Sequence, residues 1–142
     1  MKPKSPPAGR ISSATLGLLA TLLALPAYAA SRSLYPTIDW TLLIAAPTLF
    51  SSVAFAAYRS DKHRAERGDS RVPESTLHLL SLLGGWPGAL LAQQRYRHKT
   101  AKLSFQLIFW LIVLAYQFVA LDALLGWRIS AAAWNAVATA FA

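Results

Sequence analysis

The stretch LLSLLGGWPGALLAQQRYRHKTAK, residues 79–102, runs apolar, breaks at Gly84-Gly85-Trp86-Pro87-Gly88, resumes, and stops at a cluster of cations. Three paths satisfy such a pattern: a kinked crossing of a membrane, a hairpin that enters and returns on one side, or a helix inside a soluble core. The rest of the chain removes the third. No Lys, Arg, Asp or Glu occurs in residues 11–31, 40–58, 75–94 or 103–121, and charged residues make up only 14% of the chain. At about 1.5 Å per helical residue, each of these stretches approaches a hydrocarbon core about 30 Å thick. A soluble protein of this size spreads charge over every surface helix. The fold class is therefore all-α: a small polytopic membrane bundle of three spans plus a Gly/Pro-broken hairpin, re-entrant or kinked.

Charge chooses between the two membrane paths. If the hairpin returns, twelve of the fourteen Lys and Arg share one side and only Arg32 and Arg128 lie on the other. A full crossing would send Arg95, Arg97, Lys99 and Lys102 outward. Against a potential of about 100 mV each costs about 2.3 kcal/mol, roughly 9 kcal/mol for four. Local chemistry agrees. Gly84 and Gly85 tolerate left-handed angles, Pro87 lacks an N–H, and Ser75–Leu83 would be only ~13 Å long as a helix. The re-entrant path is favoured, with the kinked span as its rival. A bend at that depth needs its backbone covered by protein, and Ser75, His78 and Ser81 give the first half a polar stripe to turn inward.

Residues 1–10 form a basic N-terminus, assigned to the cytoplasm because short internal loops retain cations. Residues 11–30 read as a first span or a signal-like segment. The retained helix is favoured, although Pro26 and Ala27-Tyr28-Ala29 also fit a cleavage site. Residues 31–126 form the membrane domain. Within it lies a short outer loop with Pro36, and Thr37 or Asp39 caps a second span that contains Pro47. Ser52 and Ala56 are spaced for close helix contact. The second helix extends through the mixed-charge loop to Gly68, and Pro73-Glu74 starts the next helix. Thr100 or Ser104 caps the last span, whose Gln106 and Gln117 share a face. Residues 127–142 form a weakly apolar, interfacial tail.

These residues also carry a resemblance. Tyr58, Asp61-Lys62, Ala65, Arg71-x-Pro73-Glu74, Leu77, Gly84-Gly85-x-Pro87-Gly88, Arg97-His98-Lys99-Thr100, Lys102 and Phe105 resemble a bacterial membrane family catalogued as domain of unknown function 1294. The resemblance covers roughly residues 55–110. Members of that family are often fused behind a cold-shock domain that binds single-stranded nucleic acid. Only ten residues precede the first span here, so a nucleic-acid partner is not expected. The resemblance supplies no activity, cofactor or catalytic residue.

Tyr58, Asp61, Lys62, Arg71, Glu74, Arg97, His98 and Lys99 gather at one membrane face if the hairpin returns. They form either an ion-pair clamp or a ligand site, and Gly84, Gly85, Pro87 and Gly88 form the structural turn. The net charge of +8 then has a topological cause first and an anionic lipid headgroup second. The absence of Cys removes thiol chemistry. No nucleophile elbow, zinc-protease helix or phosphate-cradling glycine loop occurs, and although His63 and Glu66 are spaced to share a metal, spacing reveals no further ligands for it. His78 reads as a hydrogen-bonded packing residue, and Asp122 as an interfacial acid.

The expected role is a non-enzymatic module in a cell (inner) membrane that engages anionic lipid or a protein partner, with no cofactor, metal or catalytic group. Homo-oligomerisation is open. An oligomeric small-solute transporter, or a membrane enzyme using the Asp/Glu/His/Arg cluster, is the alternative.

Overall fold

Ser12 opens the first helix by accepting the Thr15 amide at 3.1 Å, and α1 then runs through Ser13–Ser33. The computed structural model describes residues 9–34, 37–97 and 100–141. Expectations for residues 1–8, Pro36, His98, Lys99 and residue 142 therefore lie outside the described residues. Of the two expected caps, Asp39 opens α2 (Trp40–Arg67) by accepting the Thr41 amide at 2.8 Å. That bond, with one from the Thr41 hydroxyl, holds the carboxyl below its ordinary range. Gly68 closes α2 at φ 80, donating its N–H to the Arg64 carbonyl. No β-branched residue reaches that angle comfortably, whereas glycine does.

Pro73 and Glu74 begin α3 (Glu74–Leu80), with an acid at the positive end of the helix dipole. Residues 81–85 then form one wide turn into α4 (Trp86–Tyr96). Only Gly84 uses its left-handed freedom there, at φ 106, while Gly85 stays at φ −83. Pro87 sits in the first turn of α4, where a missing N–H costs nothing. The last long helix, α5, spans Leu103–Leu124, and α6 spans Arg128–Ala140. Helices α1, α2 and α5 are each long and apolar enough to cross a membrane, by length and composition.

The hairpin of α3 and α4 is the middle layer. It lies against α2 on one side and against α5 and α1 on the other. Its apolar side chains Leu77, Trp86, Ala89, Leu90 and Ala92 form the core with Ala54 and Tyr58 of α2, Phe105, Phe109 and Val113 of α5, and Leu19 of α1. Gly85 and Gly88 allow the layer to close. A Cβ on Gly85 would stand 2.6 Å from the Phe50 carbonyl oxygen, and one on Gly88 would overlap the Ser51 carbonyl. The close approach to α2 thus uses Ser51 and Ala54 rather than Ser52 and Ala56, both of which are exposed.

Backbone groups freed by the breaks find partners on α5. Pro26 lacks an N–H for the Leu22 carbonyl, and Gln117 Nε2 donates to that oxygen at 2.8 Å. At the hairpin turn the Tyr116 hydroxyl donates to the Leu82 carbonyl at 2.6 Å. An unpaired carbonyl in an apolar setting is expensive, so these two neighbouring side chains permit two irregular helices.

Both ends of the hairpin lie at the same end of α2. Val72 N donates to Asp61 at 2.9 Å just before α3, and Lys62 Nζ donates to the Tyr96 carbonyl at 3.0 Å at the end of α4. The turn reaches only to Phe50 and Ser51, about halfway along the apolar part of α2. Arg95 donates to the Gly9 carbonyl at 2.7 Å, which brings the start of α1 to that same end.

Other expectations are corrected. Lys102, not Thr100 or Ser104, is the residue before α5, and it makes no side-chain cap. The polar stripe turns inward only in part: Ser81 is buried and bonds the Leu77 carbonyl at 2.9 Å, His78 is half-buried, and Ser75 is exposed. Asp122, expected as an interfacial acid at the end of the last span, has a structural role the sequence did not suggest. It is 1% exposed and caps α6, accepting the Ile129 amide at 2.9 Å, the Ser130 amide at 3.1 Å and the Ser130 hydroxyl.

Candidate functional site at the basic end

At the end where the hairpin enters and leaves, the described residues hold nine cations against four carboxylates, a surplus of five. The opposite end is balanced: Arg32 and Arg128 against Asp39 and Asp122.

The expected site residues separate by depth. Tyr58 and Asp61 are fully buried on α2 and face the hairpin. The Tyr58 ring meets Phe105 edge-on with centroids 6.1 Å apart, and its hydroxyl lies 3.4 Å from Gln93 Nε2. Asp61 binds the Val72 amide, so it anchors the loop before α3. Lys62 reaches the Tyr96 carbonyl while standing 3.6 Å from Glu66. Glu74 pairs with Lys102 at 2.8 Å, joining the start of α3 to the start of α5. Arg71 and Arg97 are exposed, and Arg97 closes α4 in the left-handed region at φ 47. His98 and Lys99 fall outside the described residues.

Asp61, Lys62 and Glu74 therefore tie the mouth of the hairpin to its neighbours, while Tyr58 packs on Phe105 and meets Gln93. Carboxylate and ammonium groups bonded to backbone amides and carbonyls fix geometry there. Among the described residues, no group of three or more His, Asp or Glu side chains converges as metal ligands would.

Two features go beyond what the sequence leads one to expect. The first is an amide relay through the bundle: Gln93 Oε1 accepts from Gln106 Nε2 at 2.6 Å while Gln93 Nε2 meets Tyr58, linking α5, α4 and α2. Its sequence signal is a lone Gln93 on an otherwise small and apolar helix face. His78 completes this region by stacking on Phe105 with centroids 4.3 Å apart.

The second is an open groove of about 860 Å³ on the outer side of the α2 extension. It is lined by Ala56, Arg59, Ser60, His63, Arg64, Arg67, Asp69 and Ser70. Arg59, His63 and Arg67 recur every fourth residue and so share one helix face. The loop after Gly68 folds back as the other wall, held by Arg64 Nη1 donating to the Ser70 carbonyl at 3.4 Å. His63 pairs with Glu66 at 3.4 Å, a helix-surface contact between residues three apart.

Fold and site together define a small multi-pass helical membrane protein with a charge-asymmetric, hairpin-filled bundle. Residues 51–105 match the model of a family described as "Protein of unknown function (DUF1294)", the family whose motifs the sequence resembles. The matched stretch runs from Ser51, which touches Gly88, to Phe105, which packs on Tyr58 and His78. It thus covers the second half of α2, the whole hairpin and the first turn of α5. No curated protein and no solved structure matches the chain.

Proposed function

We propose that this protein is a non-enzymatic membrane module whose basic end engages anionic phospholipid at the cytoplasmic face of the cell (inner) membrane. The reading rests on the distribution of charge: all of the described surplus sits at the end where the hairpin opens, and none at the other. Cations in short loops are retained inside, which puts the N-terminus and both hairpin ends in the cytoplasm. The hairpin is then re-entrant, its turn at mid-depth and its backbone covered by α2 and α5.

A cation near an anionic leaflet is worth about 1 kcal/mol, so a surplus of five is a substantial attraction. The clamp residues do not consume it. Lys62 is tied to the Tyr96 carbonyl and Lys102 to Glu74, whereas the exposed Arg59, Arg67, Arg71 and Arg97 are not part of these ties.

Lipid retained through detergent purification tests the reading. Anionic phospholipid is expected to be enriched several-fold over its share of the source membrane. A retained lipid composition equal to that of the bulk membrane overturns the proposal.

A further inference from the structure

We infer that the groove on the α2 extension is a discrete site for one phosphate-bearing lipid, its headgroup on Arg59 and Arg67 and an acyl chain on the bare face of α2 below. The inference rests on the lipid reading above and says where on the basic end the lipid sits.

Three guanidinium groups and one carboxylate, Asp69, line the groove, and Ser60 and Ser70 add hydroxyl donors. Guanidinium forks match phosphate oxygens in pairs, with stronger bonds than neutral donors make. Among the described residues, Arg59 and Arg67 make no ion pair, so neither is committed to holding the fold. Arg95, by contrast, is occupied by the Gly9 carbonyl and Lys102 by Glu74.

What lies beneath the groove selects the class of ligand. Leu49, Val53 and Ala56 lie on the same stripe as Ser60, His63 and Arg67, at steps of three and four residues. Leu49 is 62% and Val53 43% exposed, because the hairpin packs on the other side of α2. Tyr58 is the last uncharged residue before the cations, which puts Arg59 at headgroup depth. The stripe is thus apolar below and cationic above, the profile of a phospholipid rather than of a free anion.

The test titrates the detergent-purified full chain with dioleoyl phosphatidate and, separately, with inorganic phosphate, counting bound molecules by native mass spectrometry. Arg59→Gln/Arg67→Gln is expected to weaken phosphatidate binding at least tenfold. Arg10→Gln/Arg71→Gln removes the same charge from the same end outside the groove, and should weaken it less than threefold. Leu49→Asn/Val53→Asn should weaken phosphatidate several-fold. Unchanged thermal midpoints show that each variant is folded, and the Leu49/Val53 pair tests the site without touching a cation.

Equal loss from both arginine pairs overturns the groove while leaving the charge-based lipid reading in place. No loss from either pair overturns both. Millimolar phosphate that displaces the lipid, with no effect of the Leu49/Val53 pair, identifies a soluble phosphate ligand and overturns the lipid assignment.

Discussion

Gln117 of α5 donates its side-chain amide to the Leu22 carbonyl of α1 at 2.8 Å, the oxygen that Pro26 leaves without a helical partner. A sequence defect in one span is thus repaired by a side chain of another. Gln117→Leu should cost about 1–3 kcal/mol, the usual penalty for a buried acceptor left unpaired. Pro26→Ala restores an N–H to the helix and should make the protein tolerant of Gln117→Leu. Unfolding of the four combinations in mixed micelles measures the coupling. Additive effects of the two substitutions would show that Gln117 serves some other purpose.

The glycines of the hairpin separate two physical causes. Gly84 has open space, with the Tyr116 hydroxyl 3.8 Å from where a Cβ would stand, so Gly84→Ala meets only the strain of φ 106. That strain is about 1–2 kcal/mol for an L-residue in left-handed space. Gly88 is a right-handed helical residue with no room, because α2 backbone at Ser51 occupies the Cβ position. Overpacking of this kind costs about 1–3 kcal/mol and more when backbone must move. Gly88→Ala is therefore expected to destabilise more than Gly84→Ala, and Gly88→Leu to prevent assembly of the hairpin on α2. The ranking is read from thermal midpoints; the reverse order would mean that the α2–α4 contact opens freely.

Roles exerted through a residue's own backbone are legible in sequence. Gly68, Pro73 and Gly84 act in this way, and Asp39 and Glu74 act on the backbone of their own helix start, so residue type and spacing reveal them as caps and breaks. Gln106 and Gln117 are legible as a polar face, but their partners are not. Those partners are a carbonyl freed by a proline and an amide on another helix. Ser51 against Gly88 is a matter of which helix faces which, and Ser52 and Ala56 satisfy the same spacing rule on the wrong side. Arg59, His63 and Arg67 give no sequence signal of a site, because a charged helix face reads as solvated. Only the fold of the loop at Asp69 and Ser70 turns that face into a groove.

Sidedness is the next expected outcome. The chain has no native Cys, so single cysteines report without background. Ser70→Cys and Ala101→Cys flank the hairpin, both positions are exposed, and both should react only with reagents that reach the cytoplasm. Asn135→Cys on α6 should react from the opposite side, since α5 carries the chain away from the basic end and its 22 residues extend about 33 Å. Modification of positions 70 and 101 from opposite sides would make the segment a kinked full crossing.

The mouth of the hairpin is held by three ties whose burial predicts their rank. Glu74 and Lys102 are a third or more exposed at the side chain, so their 2.8 Å pair is screened and Glu74→Gln should cost under about 1 kcal/mol. Lys62 is 13% exposed at its side chain and holds a backbone carbonyl, so Lys62→Met should cost more. Asp61 is fully buried, and its acceptor is the only tie on the Val72 amide among the described residues. Asp61→Ala would strand that amide and should cost about 1–3 kcal/mol or more. Asp61→Asn keeps an acceptor oxygen and should be much milder. Hydrogen exchange at the Val72 amide checks the mechanism directly: it should accelerate in Asp61→Ala, stay slow in Asp61→Asn, and be unmoved by Glu74→Gln. Equal exchange in all three variants would show that the loop is held from elsewhere, and that the clamp drawn from burial is wrong.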